Sequence, residues 1–238
     1  MLILVIDNII NPPSWGSADL CRLIRLSSDA TIHVRRAPQE DLPLSPESYD
    51  AIVISGSKTS ILDQSPWVEK LQLWIQSALD LKKPYLGVCF GHQMLARTLG
   101  GMVAVQKAHE PEFGWSKIDL IQPHPLFDAL PSSFFSFSAH FEEVAQLPRE
   151  CVNLAYSTLC KIQAFQWRSL PIYGIQFHPE KTLFEVNEIF QELKRSQPHL
   201  SLLRATHSKP CFNPEFGKQI FKNFLKSVTF YKNNLTVL

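Results

Sequence analysis

A cysteine stands between two glycines in Gly87-Val88-Cys89-Phe90-Gly91-His92-Gln93, and a histidine and a glutamate close the segment Tyr173-Gly174-Ile175-Gln176-Phe177-His178-Pro179-Glu180. The first segment follows a strand-like run and precedes a helix-like pattern, Met94–Leu99. That is the layout of a nucleophile elbow with sulfur in the attacking place. A sharp strand-to-helix turn lifts the side chain clear of the sheet, and the small flanking residues relieve the crowding. The new helix turns free N–H groups and a positive dipole end towards the sulfur, which favours the thiolate. The N–H of Phe90 is left free to serve as one oxyanion donor. In an extended chain, residues two apart share a side, so His178 and Glu180 can lie together. His178 is placed to take the Cys89 proton and return it to a leaving amine, and Glu180 to fix the ring's tautomer and orientation. Pro179 belongs at a strand end, where the active sites of parallel sheets open.

These groups need a rigid support. Leu2–Ile6, Thr31–Val34, Ala51–Ile54 and Tyr85–Val88 read as strands bounded by turn chemistry. Between the last two, Ser65 is a candidate cap, Pro66 suits a first helical turn, and Val68, Leu71, Ile75, Ala78 and Leu79 make one apolar stripe. Strands alternating with helices predict an α/β fold with a mainly parallel sheet covered on both faces. From about 103 to 167 the pattern changes: Ile118–Ile121, Phe134–Phe137 and Ala164–Trp167 are β-rich and separated by Pro and Gly, predicting an antiparallel extension at one edge. Ile172–Phe177 returns as a strand. Thr182 and Glu185 form a capping box for a helix carrying Val186, Ile189, Phe190 and Leu193. An irregular connection is expected over about 196–212. A last helix starts near Asn213-Pro214, with Phe216, Ile220, Phe224 and Leu225 on one face and Lys218, Lys222 and Lys226 on a solvated one.

Composition narrows the function. A length of 238 residues suffices for one full α/β unit, and a net charge of +1 gives no electrostatic case for nucleic acid or an anionic membrane. No apolar run reaches the roughly 18–20 residues of a membrane span, and the opening strand lacks the features of a signal peptide. Five cysteines without regular spacing form no disulfide framework. A reducing cytoplasm is the expected location, since it keeps a nucleophilic thiol free. Cys21, Cys151 and Cys160 read as small buried hydrophobes, and Cys211 is left open. His33, His109, His124, His199 and His207 read as surface or packing residues, and His92 as a packing or supporting residue on the elbow helix. No Cys/His spacing suggests a metal site, and no phosphate-binding Gly-rich loop is present. No cofactor is expected.

The elbow and the His-Pro-Glu segment together resemble the class I, triad-type glutamine amidotransferases, from the first strand to about Glu180. The resemblance implies a flavodoxin-like fold over 1–195, with 196–238 as an extension packed on the same unit. It implies a Cys89–His178–Glu180 triad acting on glutamine or a γ-glutamyl compound through a γ-glutamyl thioester. The motif alignment puts the second oxyanion donor on Ser57, within Ile54-Ser55-Gly56-Ser57-Lys58, where the family usually has Gly-Gly-Pro. That Ser-Gly-Ser version resembles the free-standing γ-glutamyl peptidase branch more than the purine-synthesis glutaminases, although the chain as a whole also resembles a free-standing GMP-synthase glutaminase. Serine reaches positive φ only at a cost, so this departure leaves open whether the hole is preformed. Ser138–Val144 resembles the family's Ser-His-x-Asp-x-Val stretch, which makes His140 and Glu142 substrate-pocket candidates; Gly56 of the 54–58 loop and Gln93, which matches a family position near the pocket, join them. Glu142 stands where it can pair with a substrate α-ammonium. Gly114-Trp115 also match positions near the pocket. The implied partners are a small-molecule substrate and, if the chain is a glutaminase that delivers its ammonia onward, a separate acceptor synthetase. A catalytically silent regulatory homologue and a cysteine hydrolase of other esters or amides are the alternatives.

Overall fold

The computed structural model describes residues 1–11, 16–196 and 213–235. Along the chain, β1 (Leu2–Asp7), α1 (Ser17–Ser27), β2 (Thr31–Arg36), β3 (Ala51–Ile54), α2 (Pro66–Asp80), β4 (Tyr85–Val88) and α3 (Phe90–Gly100) alternate. Then come β5 (Val105–Leu120), β6 (Ser133–Val144), β7 (Cys151–Tyr156), β8 (Ala164–Trp167), β9 (Ile172–Ile175), α4 (Leu183–Ser196) and α5 (Pro214–Leu235). The nine strands of the described residues form one sheet in the order β2-β1-β3-β4-β9-β8-β7-β5-β6. The pairings from β2 to β9 are parallel and those from β9 to β6 antiparallel, as the alternation and the Pro/Gly-spaced middle predict.

The two-residue strand period sorts the core into two layers. Ile3, Val5, Ala51, Val53, Leu86 and Val88 face α1 and α5, while Leu4, Ile6, Ile52, Ile54 and Tyr85 face α2 and α3. Burial on both faces is why these strands are unbroken apolar runs. β2, at the edge, instead carries Arg35 and Arg36 and is largely exposed, which discourages further pairing. All five residues of the α2 stripe are buried, as are Ile220, Phe221, Phe224, Leu225 and Val228 of α5. The capping box of α4 forms as expected: Thr182 N–H donates to Glu185 Oε2 at 2.8 Å, and Glu185 N–H donates to Thr182 Oγ1 at 3.4 Å.

Several expectations change. Ser65 holds the N-cap position of α2, but its hydroxyl makes no capping bond; its carbonyl accepts from Val68 and Glu69 N–H instead. Cys21 and Cys160 are buried, but Cys151 is only half-buried because it starts β7, a strand not anticipated from the sequence. Ile118 to Leu120 form the tail of the long β5, with Ile121 just past its end, and the stretch from Ser138 to Val144 continues β6. Cys211, His199, His207 and the connection up to 212 lie outside the described residues.

The strand ends that open a parallel sheet here belong to β1, β3, β4 and β9. The long β5–β6 hairpin curls back over them, and an isolated antiparallel bridge pairs Phe137 of β6 with His178. The β5–β6 register breaks between Lys107 and Glu112, a bulge that re-aims the hairpin beside these ends. Among the described residues no helix is long and apolar enough to cross a membrane.

Candidate active site

Cys89 caps α3 directly after β4, with φ 52° and ψ −103°. A non-glycine residue in that region is strained, and such strain concentrates where geometry serves a reaction. The elbow closes only because its flanks lack side chains. A Cβ on Gly87 would overlap the main chain of Gly91, and one on Gly91 would sit 2.5 Å from the Ile54 carbonyl oxygen. The helix therefore starts pressed against β3 and β4, and Phe90, its first residue, has an N–H with no intrahelical acceptor.

His178 lies just past β9 and not within it. Its N–H donates to the Phe137 carbonyl at 2.7 Å, and its ring Nδ1 is 2.7 Å from Glu180 Oε1. The bridge and the turn after it bring the pair together, in place of the continuous strand expected from the sequence. His178 is 2% exposed and Glu180 3%. Burial opposes a charged imidazole, but the negative charges of Glu180 and Cys89 and hydrogen bonds to both side chains raise its pKa to about 10. Burial likewise works against the Glu180 carboxylate, and the opposing His178 charge outweighs it, so the Glu180 pKa is lowered. The ring thus has a high affinity for a proton, with one nitrogen on the carboxylate and Cys89 on its other side.

Gly56 fits against this pair: a Cβ there would meet His178 Cε1 at 2.9 Å and Cys89 Cβ at 3.5 Å. Ser57 lines a cavity of about 310 Å³ together with Cys89, His178, Gln93, His140 and Glu142. Ser57 does not adopt positive φ. Its hydroxyl donates to the Asn8 carbonyl at 2.8 Å and accepts from Thr59 N–H at 3.0 Å, while Asn8 bonds Ser55 twice, at 3.0 and 2.9 Å. The loop after β3 is tied down by the loop after β1, a contact between segments far apart in sequence.

The far wall comes from the hairpin. Gln93 Nε2 donates to the Glu142 carbonyl at 2.6 Å and to Gln176 Oε1 at 3.1 Å, so its amide joins α3 to β6. His140 borders the cavity, yet both ring nitrogens are engaged, with the Glu142 carbonyl at 3.0 Å and Glu112 Oε2 at 2.9 Å. It shapes the wall, and Glu142 lines the cavity beside Lys58, Thr59 and Glu192. The Glu142 carboxylate accepts from Ser60 Oγ at 2.7 Å. Gly114-Trp115 do not line the cavity; Trp115 packs on Phe137, and Phe113 takes the lining position beside Phe141. His92 packs against Phe165, and burial pushes its pKa down to about 3, which keeps it neutral and out of acid–base work.

Sequence reasoning missed Glu112, Asn8, Ser55 and Gln176. Glu112, 1% exposed, accepts from His140, from Ser157 Oγ at 2.6 Å and from Gln163 Nε2 at 2.6 Å. Burial disfavours its charge, but these donors, His140 first, lower its pKa. Cys160 converges on the same point, its sulfur within 4.8 Å of ligand atoms of Glu112 and His140. The linear spacing of that trio carries no metal-ligand pattern, and the carboxylate already has three donors. No local signal marked Glu112, which follows Glu110-Pro111 without strand-like alternation.

The class-I glutamine amidotransferase family model matches residues 20–193. The chain is 38% identical over 123 residues to a glutamine-hydrolysing GMP synthase subunit of Methanococcus aeolicus, covering 52% of this chain and 64% of that protein. It is 37% identical over 135 residues to the corresponding protein of Methanocaldococcus jannaschii, covering 56% and 71%. Among solved structures, a putative GMP synthase subunit from Thermoplasma acidophilum superposes with TM-score 0.70 at 26% identity, over 99% of this chain and 98% of that one. A glutamine amidotransferase from Thermotoga maritima has TM-score 0.72 at 20% identity, over 97% and 96%, a likeness of fold alone. With the family model spanning the elbow and the His-Pro-Glu segment alike, the chain belongs to the class I glutamine amidotransferases.

Proposed function

We propose that this chain hydrolyses the γ-amide of glutamine, or of a γ-glutamyl compound, with Cys89, His178 and Glu180 as its triad. The contact of His178 with Glu180 at 2.7 Å, on a ring packed against Cys89, is the observation that carries the reading. Cys89 gives its proton to His178 Nε2 and Sγ attacks the amide carbon. The oxygen takes the electron pair, and the N–H groups of Phe90 and Ser57 donate hydrogen bonds to it. The pair returns, the C–N bond breaks, and His178 passes the proton to the departing ammonia or amine. Water, deprotonated by His178, then attacks the thioester; glutamate leaves and the thiol is restored. Glu180 holds the ring and balances its charge throughout.

Gly56 keeps the floor of the site thin, and Gln93 and His140 hold the wall from which Glu142 meets the substrate ammonium. The unit so described runs from residue 1 to about 195, with α5 docked on it. The relatives named as glutamine-hydrolysing GMP synthase subunits favour a second level to this reading, in which the released ammonia passes to a separate synthetase. Ammonia release by the purified chain from glutamine and from γ-glutamyl peptides, with Cys89→Ala as control, is the test. Cys89-dependent turnover supports the hydrolase. Stimulation on adding a synthetase partner supports ammonia delivery. Turnover that survives Cys89→Ala sinks the assignment.

A further inference from the structure

Directly after Glu180, Lys181 turns its side chain inwards and is only 3% exposed. Lysine is almost never this buried unless paired, and here it is paired twice. Its Nζ lies 2.7 Å from Asp19 Oδ2, in the first turn of α1, and 3.7 Å from Glu185 Oε1, in the first turn of α4. Arg22, one turn along α1, donates from Nη2 to the Glu180 carbonyl at 2.7 Å and stands 3.7 Å from Asp19. Two helices thus grip the chain on both sides of the peptide that joins Glu180 to Lys181.

Stability alone does not account for this arrangement. Desolvating an ammonium and its partners costs several kcal/mol, about what a well-packed apolar replacement would avoid. The neighbouring carboxylate supplies another reason. Glu180 Oε1 bonds His178, whereas the buried Oε2 accepts no hydrogen bond among the described residues. A buried carboxylate with one bare oxygen needs nearby positive charge to stay ionised.

We propose that Lys181 is a positioning residue for the reaction: clamped between Asp19 and Glu185, its ammonium fixes the chain at Glu180 and places positive charge beside the triad carboxylate. The inference rests on the proposed triad. The charges acting on the Glu180 carboxylate are His178 and Lys181; Arg22 from α1 holds the Glu180 carbonyl, and Asp19 from α1 and Glu185 from α4 surround the Lys181 ammonium. Lys181 is among the groups that hold the Glu180 pKa low against burial. Burial and the adjoining Glu185 raise the Asp19 pKa, while Lys181 pulls it down, so one ammonium serves several converging carboxyls.

The test compares Lys181→Met, Lys181→Gln and Lys181→Arg in the full chain by two readouts. One is the pH dependence of Cys89 alkylation by iodoacetamide, corrected with Cys89→Ala. The other is ammonia release from glutamine. In Lys181→Met, Glu180 becomes easier to protonate, so the acid limb of alkylation moves up by about one pH unit. Turnover number falls about 10- to 100-fold with the Michaelis constant little changed, as for a displaced catalytic group. Lys181→Arg restores both. If Lys181→Met does not hold the native fold, Lys181→Gln, which keeps hydrogen bonding without charge, decides by the same readouts. An unmoved limb with wild-type turnover overturns the proposal, as does an arginine variant as impaired as the methionine one. Should the wild type release no ammonia, the proposed function fails, and the alkylation limb still decides the role of Lys181.

Discussion

The two halves of the sheet contribute to the site in different ways. In the parallel half, β4 and β9 deliver Cys89 and His178 from strand ends, and what fixes them is backbone: the absence of side chains at Gly56, Gly87 and Gly91, and positive φ at Cys89. In the antiparallel half, β5 and β6 contribute side chains held by other side chains, with Glu112 binding His140, Ser157 and Gln163 beneath the wall that carries Glu142. Reacting atoms need placement within fractions of an ångström, which close main-chain packing gives. A substrate wall needs particular charges at particular depths, which a buried hydrogen-bond network can set and vary. The proposed function thus places chemistry on the parallel half and selectivity on the antiparallel half.

That division is open to attack by substitution. Cys89→Ala removes the attacking atom alone, so turnover is expected to fall by about 10⁴-fold or more while the melting temperature holds, measured by ammonia release and calorimetry. Survival of turnover would take the chemistry away from β4. Gly91→Ala drives a Cβ to 2.5 Å from the Ile54 carbonyl oxygen. It should cost about 1–3 kcal/mol of stability in denaturant melts and reduce turnover besides. A fully active, fully stable alanine variant would show that the elbow is not set by this packing.

In the other half, Glu142→Ala is expected to raise the Michaelis constant for substrates with a free α-amino group about tenfold, with the turnover number nearly unchanged. A fall in turnover alone would place Glu142 with the reacting groups and blur the comparison.

The smallest effect expected is a dependence of stability on pH. The His178 pKa is raised from 6.5 to about 10, so the stabilisation tied to its proton is complete below 6.5 and is lost as pH rises through about 10. The Glu180 pKa is lowered from 4.5, so its share is present above 4.5 and is lost as pH falls further. The wild type should therefore exceed Glu180→Gln in melting temperature by a margin that narrows from pH 6.5 towards 10. A margin that widened over that range would contradict the charged pair.

The amino-acid sequence by itself determined the strands β1, β3, β4 and β8, the buried stripe of α2, the capping box of α4 and the elbow, because each rests on local rules. These are a two-residue or helical period, a capping geometry, or a glycine where a side chain cannot fit. It also brought Cys89, His178 and Glu180 to notice as a set, through motif spacing. Tertiary structure alone decided the rest. That His140 turns both nitrogens inwards, that Phe113 and not Trp115 lines the cavity, and that Asn8 ties the Ser57 loop depend on how the β5–β6 hairpin curls and how β1 lies beside β3. Lys181 is the clearest case. In sequence it is one more lysine, and only the convergence of α1 and α4 on the end of β9 buries it between Asp19 and Glu185. Burial and pairing between distant segments are properties of the assembled fold, because they depend on which surfaces meet, and no local pattern records that.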